Sequence, residues 1–242
     1  MEILKIQNLQ GVKPYCHYGD IQKLIMEIHK LHNSFSASWI DKITPLGFEL
    51  LNFNKKQVRH ISNVIEDRGA FLIDNTFYRL IKSYMNELEI FTVTSDLEFD
   101  YTELDLRTRI KQNESVVNKL KYYRVGKEGE GAFNLNKCLN DLFGIRIIVE
   151  GFDHNCGYFK DMCDGLKFEY NNKVRMMNSS KRDYNATHIY FYGEKNNYFP
   201  WELQVWNKND MSSNVTSHAL HKQEYTAWAG IYKNSEEIEG GA

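Results

Sequence analysis

The chain has 242 residues, of which 42% are hydrophobic and 26% are charged. These fractions are typical of a folded protein and exclude a disordered one. The formal net charge of −2 gives no overall attraction for polyanions, so a site for nucleotides or nucleic acid must be a local patch of cations. No apolar run is long enough for a signal peptide or a membrane span, so we expect a cytoplasmic protein with no membrane partner.

The first third of the chain predicts helices. Apolar residues recur at helical spacing over residues 21–31. A short helix is expected over residues 57–66, and a longer one from a cap at Asp74 or Asn75 to about Ile90. No catalytic pattern appears in this region, so we interpret it as scaffold.

The rest of the chain predicts helices mixed with strands. A long polar helix is expected over residues 101–123, and the β-branched run Phe143–Val149 is expected to form a buried strand. A helix over 155–166, strands over 174–177, 188–192 and 201–206, and a last helix over 215–232 are expected to follow. The pattern predicts an α+β fold in which a mixed central β-sheet is flanked by helices, with a helical N-terminal region.

One group of polar residues suits nucleotide phosphates. Lys111, Ser115 and Lys119 are four residues apart, so a helix would place them on one face, and Arg109 precedes them. Two ammonium groups and a hydroxyl in a row can follow a triphosphate. An ordinary solvated lysine face is the alternative, because such faces are common on surface helices.

Two carboxylates suit a magnesium ion. Asp141 comes just before the predicted buried strand, and Mg²⁺ takes one or two protein carboxylates plus substrate phosphates. Arg146 lies inside that strand, where it must be paired or stacked, and a structural Asp–Arg ion pair is the alternative. Glu202 and Gln204 alternate with apolar residues, so the pleat points both to one side. There Glu202 could bind metal or take a proton from a hydroxyl, unless this is simply an exposed strand face.

An aromatic ring could hold a base. Tyr184 offers a stacking plane, and base stacking on an aromatic ring is worth about 1–3 kcal/mol in single-strand binders. A half-buried tyrosine near a turn is the alternative.

The order of these signatures resembles the synthetase domain of the RelA/SpoT family, which has a nucleotidyltransferase-like fold. The signatures are R-x-K-x-x-x-S-x-x-x-K from Arg109, D-x-x-G-x-R from Asp141, Y-x-x-x-H from Tyr184 and E-x-Q from Glu202, followed by a histidine near the start of the last helix. The resemblance covers about residues 101–232. It indicates a mainly helical region over 1–95, a synthetase domain over 96–235 and a disordered tail over 236–242.

The resemblance implies ATP- and Mg²⁺-dependent pyrophosphokinase chemistry, in which the β,γ-diphosphate of ATP moves to a ribose 3′-hydroxyl and AMP leaves. The implied ATP-binding residues are Arg109, Lys111, Ser115, Lys119 and Arg146. The implied metal ligands and catalytic residues are Asp141 and Glu202. The implied acceptor-binding residues are Tyr184, His188, Gln204 and His218.

The chain departs from the family beside the acceptor pocket. Alarmone synthetases continue E-x-Q with x-R-T, then an asparagine, then E-H, whereas this chain has Trp206, Met211 and Ser217-His218. An arginine and an asparagine suit a guanosine phosphate, so their loss argues for a changed acceptor. The segments 199–206 and 218–225 are similar to the toxic small members of the family, some of which pyrophosphorylate the 3′-terminal adenosine of tRNA.

The resemblance therefore favours a translation-inhibiting toxin that modifies the CCA end of tRNA, with a cognate antitoxin protein as second partner and no DNA partner. The alternatives are a small alarmone synthetase making (p)ppGpp or (p)ppApp from GDP, GTP or adenosine nucleotides, and a catalytically inactive binding module. A tRNA needs cations outside the pocket. The candidates, each of which could also be ordinary surface, are Lys55-Lys56, Lys119 to Arg124, Lys173 with Arg175, and Lys181-Arg182.

Overall fold

The computed structural model describes residues 17–65, 70–181, 183–217 and 219–220. The helices are α1 (Tyr18–Ile43), α2 (Asn75–Thr94), α3 (Leu97–Asp100), α4 (Asn113–Lys121), α5 (Leu135–Cys138) and α6 (Gly157–Glu169). The strands are β1 (Ser62–Ile65), β2 (Ala70–Ile73), β3 (Arg107–Ile110), β4 (Phe143–Val149), β5 (Val174–Asn178), β6 (Thr187–Phe191) and β7 (Trp201–Asn207). Residues 211–217 are also helical.

Five strands form one mixed sheet in the order β3-β4-β7-β6-β5. Strands β4 and β7 run parallel, and the other three pairs are antiparallel. Strands β1 and β2 form a separate antiparallel pair. The predicted α+β class, with a mixed central sheet, flanking helices and a helical N-terminal region, is confirmed. Strand β7 lies in the middle of the sheet, so its side chains occupy the centre of both faces.

One face of the sheet packs against the two long N-terminal helices. The indole of Trp201 on β7 lies 5.5 Å from the ring of Phe35 on α1, 5.4 Å from Phe91 on α2 and 4.6 Å from Phe143 on β4. The indole N–H of Trp201 donates to the hydroxyl of Tyr84 at 2.7 Å. Burial of such large rings is a main favourable term in folding. The helices and the sheet therefore share one core, and the opposite face of the sheet is left for polar residues.

Most predicted elements are confirmed. Helix α1 contains the periodic segment 21–31. Helix α2 begins after the predicted cap Asp74, whose Oδ1 accepts from the N–H of Phe77 at 2.8 Å. Strands β4 to β7 lie where the apolar runs indicated. The last helix starts earlier, at residue 211. Its part beyond residue 220 and the tail 236–242 lie outside the described residues. The division at residue 95 stays a prediction. None of the helices within the described ranges is long and apolar enough to cross a membrane.

The helix predicted over residues 57–66 is wrong. A single 3₁₀ turn at Val58–His60 leads into β1, which pairs with β2. The β-branched residues Val64 and Ile65 favour a strand, and pairing with a partner strand outweighs a short helical pattern. Glu66, the end of the predicted helix, lies outside the described residues.

The helix predicted over residues 101–123 is also wrong. Strand β3 lies within it, and α4 begins only at Asn113. Leu106 is buried, and Thr108 and Ile110 are half-buried, whereas the two arginines between them are exposed. This alternation has the period of two that belongs to a strand. Hydrogen bonding to β4 makes the segment the edge of the sheet, which places Arg109 on a strand.

A buried histidine joins α1 to the sheet. The side chain of His32 is fully buried, and its Nε2 donates to the carbonyl oxygen of Phe199 at 2.9 Å. Burial lowers its pKa from 6.5 to about 3, although the hydrogen bond to the carbonyl acts in the opposite direction. The folded protein therefore keeps this imidazole neutral at pH values where the unfolded chain takes up a proton.

This difference predicts acid sensitivity. Above pH 6.5 the group does not affect stability, and below it each pH unit costs about 1.4 kcal/mol until the folded pKa is reached. We expect the urea midpoint to fall as the pH is lowered from 6.5 to 4.5, and His32→Gln to lose most of that slope. Burial also lowers the pKa of His29 and His154, so a smaller slope remains. An unchanged slope in His32→Gln would contradict this account.

Candidate active site

The polar residues of the sheet share the face opposite α1 and α2. In the strand register, Glu202 of β7 pairs with Tyr190 of β6. Gln204 of β7 pairs with His188 of β6 on one side and with Arg146 of β4 on the other. Directly paired residues of neighbouring strands point to the same face. The structure therefore brings together four predicted site residues and adds Tyr190 to them.

Asp141 holds two lysines at the edge of this face. Nζ of Lys111 lies 2.7 Å from Oδ2 of Asp141, and Nζ of Lys119 lies 2.8 Å from Oδ1. Burial favours the neutral carboxyl, but the two ammonium groups outweigh it and hold the pKa of Asp141 below its usual range. The charge of Asp141 likewise outweighs burial and raises the pKa of Lys119. Asp141 and Lys119 are therefore ionised at neutral pH, and with two lysines to one carboxylate the formal charge of the cluster is positive.

The predicted row on one helix face is partly wrong. Ser115 and Lys119 lie one turn apart on α4, as expected. Lys111 instead follows β3, and its backbone N–H donates to the carbonyl of Leu142 at 2.9 Å. It reaches Asp141 from the end of the strand. The three phosphate-binding candidates thus come from two elements, and the carboxylate of Asp141 joins the two lysines.

Arg146 is stacked on an indole, as its place in an apolar strand required. Its Cζ lies 4.6 Å from the ring centroid of Trp206, and the described residues offer no hydrogen-bond partner to its buried Nε. The alternative of an Asp141–Arg146 ion pair is wrong, because both salt bridges found for Asp141 go to lysines. A cation over an indole is favourable, and a guanidinium presents a second flat face to another ring.

Arg109 and Glu202 lie on either side of a glycine in the sheet. It is exposed on β3 and pairs with Gly144, which in turn pairs with Glu202. A Cβ added to Gly144 would meet only the backbone oxygen of Arg109, at 3.8 Å. The glycine therefore leaves space on this face between the arginine and the carboxylate.

Glu202 is a buried carboxylate that side chains hold ionised. It is 6% exposed. Nδ1 of His188 lies 3.0 Å from its Oε1, and Nε2 of Gln204 donates to its Oε2 at 2.7 Å. Burial and the negative charge of Asp141 raise the pKa of Glu202, but the two donors outweigh them and lower it. Because a carboxylate only accepts hydrogen bonds, Nδ1 of His188 carries the proton.

Tyr184 is connected to Glu202 through the same histidine. Its hydroxyl lies 2.8 Å from Nε2 of His188, within hydrogen-bond distance. Burial raises the pKa of Tyr184, so the hydroxyl remains a donor. The rings of Tyr184 and Trp206 are close to perpendicular, with their centroids 6.3 Å apart. Trp206 thus contacts both the arginine and the tyrosine of the site.

The segment that carries Tyr184 is fixed by a buried amide. Oδ1 of Asn214 accepts from the backbone N–H of Asn185 at 2.8 Å, and Nδ2 of Asn214 donates to the carbonyl of Asn185 at 2.7 Å. Asn214 has no exposed surface. Met211, three residues earlier, is 44% exposed. His218 lies outside the described residues, so its predicted acceptor role stays a prediction.

Sequence reasoning missed Tyr190 and Asn214. A period-two reading beyond His188 would have placed Tyr190 on the same face. No sequence pattern indicated Asn214, because its partner is the backbone of a distant segment.

Asp141 and Glu202 are the two carboxylates that the sequence predicts as magnesium ligands. Asp141 and Glu202 are close enough for the charge of one to raise the pKa of the other. Within the described ranges, no group of three or more His, Cys, Asp or Glu side chains could hold a metal ion. Mg²⁺ characteristically binds one or two carboxylates and completes its shell with water and phosphate oxygens. This pair therefore suits shared coordination better than a closed protein cage.

No protein-family model matches the chain, and no curated protein matches it. Among solved structures, the chain is similar to small alarmone synthetase 1 from Bacillus subtilis, with 15% identity, a TM-score of 0.32 and coverage of 61% of this chain and 78% of that one. It is also similar to small alarmone synthetase 2 from Bacillus subtilis, with 18% identity, a TM-score of 0.31 and coverage of 62% of this chain and 79% of that one. A third similar structure is that of a GTP pyrophosphokinase family protein from Streptococcus pneumoniae, with 16% identity, a TM-score of 0.32 and coverage of 65% of this chain and 81% of that one. At these identities and TM-scores the similarity is no evidence for a function, which has to come from the side chains.

Proposed function

We propose that this chain is an ATP- and Mg²⁺-dependent pyrophosphokinase of the RelA/SpoT type, which transfers the β,γ-diphosphate of ATP to a ribose 3′-hydroxyl. The observation that carries the proposal is that the buried, ionised Glu202 lies close enough to the Lys111–Asp141–Lys119 cluster for the charge of Asp141 to raise its pKa. Phosphoryl-transfer enzymes work almost entirely by positioning and electrostatics. This face supplies cations for phosphate, carboxylates for a metal and a base for a hydroxyl.

The donor nucleotide is assigned to the β3–β4 side. Lys111, Ser115 and Lys119 would bind the triphosphate, because ammonium groups act as point charges on phosphate. Arg109 and Arg146 would hold the adenine on their flat faces. Asp141 and Glu202 would hold Mg²⁺, which when bound would neutralise charge on the phosphate oxygens.

The transfer step is assigned to Glu202. The acceptor 3′-oxygen forms a bond to the β-phosphorus, and the bond from that phosphorus to the oxygen it shares with the α-phosphate breaks. AMP leaves with that electron pair. Glu202, ionised at neutral pH, takes the proton of the attacking hydroxyl, while the lysines stabilise the charge on the phosphate oxygens.

For the acceptor we propose the 3′ CCA end of tRNA. Tyr184 would stack the terminal base, and His188, Gln204 and His218 would line its pocket. Trp206 stands where an alarmone synthetase has an arginine for a guanosine phosphate, which argues against that substrate. Blocking the CCA end would stop aminoacylation, so the chain would act as a toxin and would need an antitoxin protein as partner.

Cations beside the pocket support a polynucleotide acceptor. Arg175 on the edge strand β5 pairs with Tyr190, so it shares the face of Glu202. It is exposed, its Cζ lies 5.4 Å from the ring centroid of Tyr192, and within the described ranges it forms no salt bridge. Lys173 and Lys181 flank the same strand. A positive strip beside aromatic rings is the combination that binds single-stranded nucleic acid.

A small alarmone synthetase is the second candidate. Tyr184, His188 and Gln204 form a pocket that could equally receive the base of GDP, GTP or an adenosine nucleotide, giving (p)ppGpp or (p)ppApp. The retained pocket residues favour this candidate, whereas Trp206 opposes it.

One assay separates the candidates. The protein is incubated with Mg²⁺ and ATP labelled in the β,γ-diphosphate, and is offered deacylated tRNA, GDP, GTP or AMP as acceptor. We expect label on the 3′ end of tRNA. Label on a nucleotide but not on tRNA would support the alarmone synthetase, and transfer to no acceptor would refute both.

A charge reversal tests the polynucleotide strip. We expect Arg175→Glu to lower kcat/KM for tRNA about tenfold in low salt and to reduce the salt dependence of kcat/KM by about one phosphate contact. Transfer to any mononucleotide acceptor should not change. Arg79→Glu is the matched control. Arg79 lies on α2, away from this face of the sheet, and like Arg175 it is an exposed arginine over an aromatic ring, that of Phe48. Equal losses in the two variants, or equal losses with both kinds of acceptor, would contradict the prediction.

A further inference from the structure

We propose that Tyr190 is a positioning residue for diphosphate transfer, which together with His188 fixes the carboxylate of Glu202 in the orientation that meets the acceptor hydroxyl. The proposal rests on the function proposed for Glu202. Neither the sequence signatures nor the roles implied by the resemblance include Tyr190.

The geometry connects the phenol to the carboxylate through His188. Tyr190 pairs directly with Glu202 across β6 and β7. Its hydroxyl lies 3.2 Å from Nδ1 of His188, the same nitrogen that lies 3.0 Å from Oε1 of Glu202. The Tyr190 hydroxyl and Oε1 of Glu202 are therefore both within hydrogen-bond distance of one ring nitrogen.

The direction of each hydrogen bond follows from the carboxylate. Glu202 only accepts, so Nδ1–H of His188 and Nε2–H of Gln204 donate to it. Because Nδ1 carries the proton, the Tyr190 hydroxyl accepts from it, and this one N–H is shared between the hydroxyl and Oε1 of Glu202. Burial and the charge of Glu202 raise the pKa of Tyr190, so the hydroxyl stays uncharged.

The Tyr190 hydroxyl fixes the imidazole that holds the carboxylate. A buried carboxylate needs its oxygens satisfied, and a hydroxyl beside Nδ1 restricts rotation of the His188 ring that donates to Oε1. Without the hydroxyl, the imidazole can turn, and the carboxylate can turn with it away from the acceptor. Misplacement by about 1 Å can cost up to about 10²-fold in rate. Tyr190 is only 9% exposed, so it acts through Glu202 and not by touching substrate.

The first test is a split between kcat and KM in Tyr190→Phe, which keeps the ring and removes only the hydroxyl. With labelled ATP and the best acceptor of the wild-type protein, we expect kcat to fall about tenfold and KM for ATP to stay within about twofold. The matched control is Tyr198→Phe, because Tyr198 is also buried but contacts His32 on the opposite side of the sheet. A wild-type kcat in Tyr190→Phe, or a loss that Tyr198→Phe shares, would overturn the proposal.

The second test does not depend on activity. A double-mutant cycle in urea unfolding combines Tyr190→Phe with Glu202→Gln. If the hydroxyl acts on the carboxylate through His188, the shift of the midpoint caused by Tyr190→Phe should be at least halved in the Glu202→Gln background. Additive shifts would refute this coupling. A wild-type protein that transfers no diphosphate would instead refute the proposed function, so the two failures are distinguishable.

Discussion

Glu202→Gln is expected to lower kcat for diphosphate transfer about 10³-fold while the protein stays folded. The amide cannot take a proton from the acceptor hydroxyl, and general-base catalysis contributes about 10²–10⁴-fold. It also removes a charged ligand from the proposed magnesium pair. The volume and the packing of the side chain are nearly unchanged, so KM for ATP should change less than kcat. Single-turnover transfer of labelled diphosphate measures the effect without interference from product release.

The matched control is Glu150→Gln. Glu150 follows β4 and is exposed, and its salt bridge to Lys208 is long, at 3.6 Å. Surface pairs of this kind contribute little, so this variant should keep the wild-type rate. If Glu202→Gln also kept it, the role assigned to the carboxylate would be wrong.

Asp141→Asn is expected to abolish transfer and also to destabilise the fold by about 3 kcal/mol, because it leaves two mostly buried ammonium groups without their carboxylate. The side chains of Lys111 and Lys119 are only 16% and 13% exposed. Urea unfolding at pH 7 measures the loss of stability, and labelled ATP measures the loss of transfer.

A second substitution separates the two effects. Adding Lys119→Met to Asp141→Asn removes one unpaired cation, so part of the lost stability should return. Transfer should not return, because both a metal ligand and a phosphate-binding group are then missing. Full activity in Asp141→Asn would contradict the donor site, and a double variant less stable than Asp141→Asn would contradict the electrostatic explanation.

Trp206 connects the two halves of the proposed site. Its ring lies under Arg146 on the donor side, and its edge packs against the ring of Tyr184 on the acceptor side, with centroids 6.3 Å apart. The sequence showed this residue only as a departure from the alarmone synthetase pattern. The structure gives it contacts that an arginine would not make in the same way.

The sheet could be predicted from sequence where the strands are buried. The run Phe143–Val149 and the segments that became β6 and β7 carry β-branched or aromatic residues with apolar neighbours, and tertiary packing agrees with these preferences. The residues of the donor cluster were also identified, because their spacing and charge are local features of the chain.

The edge strand and the cross-strand contacts could not be predicted in the same way. Strand β3 has arginines at alternate positions and reads as polar, and it becomes a strand through pairing with β4. The contact between Tyr190 and Glu202 depends on the register of β6 against β7. A shift by one residue would turn Tyr190 to the other face, and no local pattern specifies that register.

The identity of the nucleotide released from ATP tests the central claim most directly. ATP is incubated with the protein, Mg²⁺ and whichever acceptor receives label in the transfer assay. We predict that one AMP is released for each diphosphate that appears on the acceptor. Release of ADP would indicate transfer of a single phosphoryl group, and release of pyrophosphate would indicate transfer of the nucleotidyl group. Either result would contradict the pyrophosphokinase assignment.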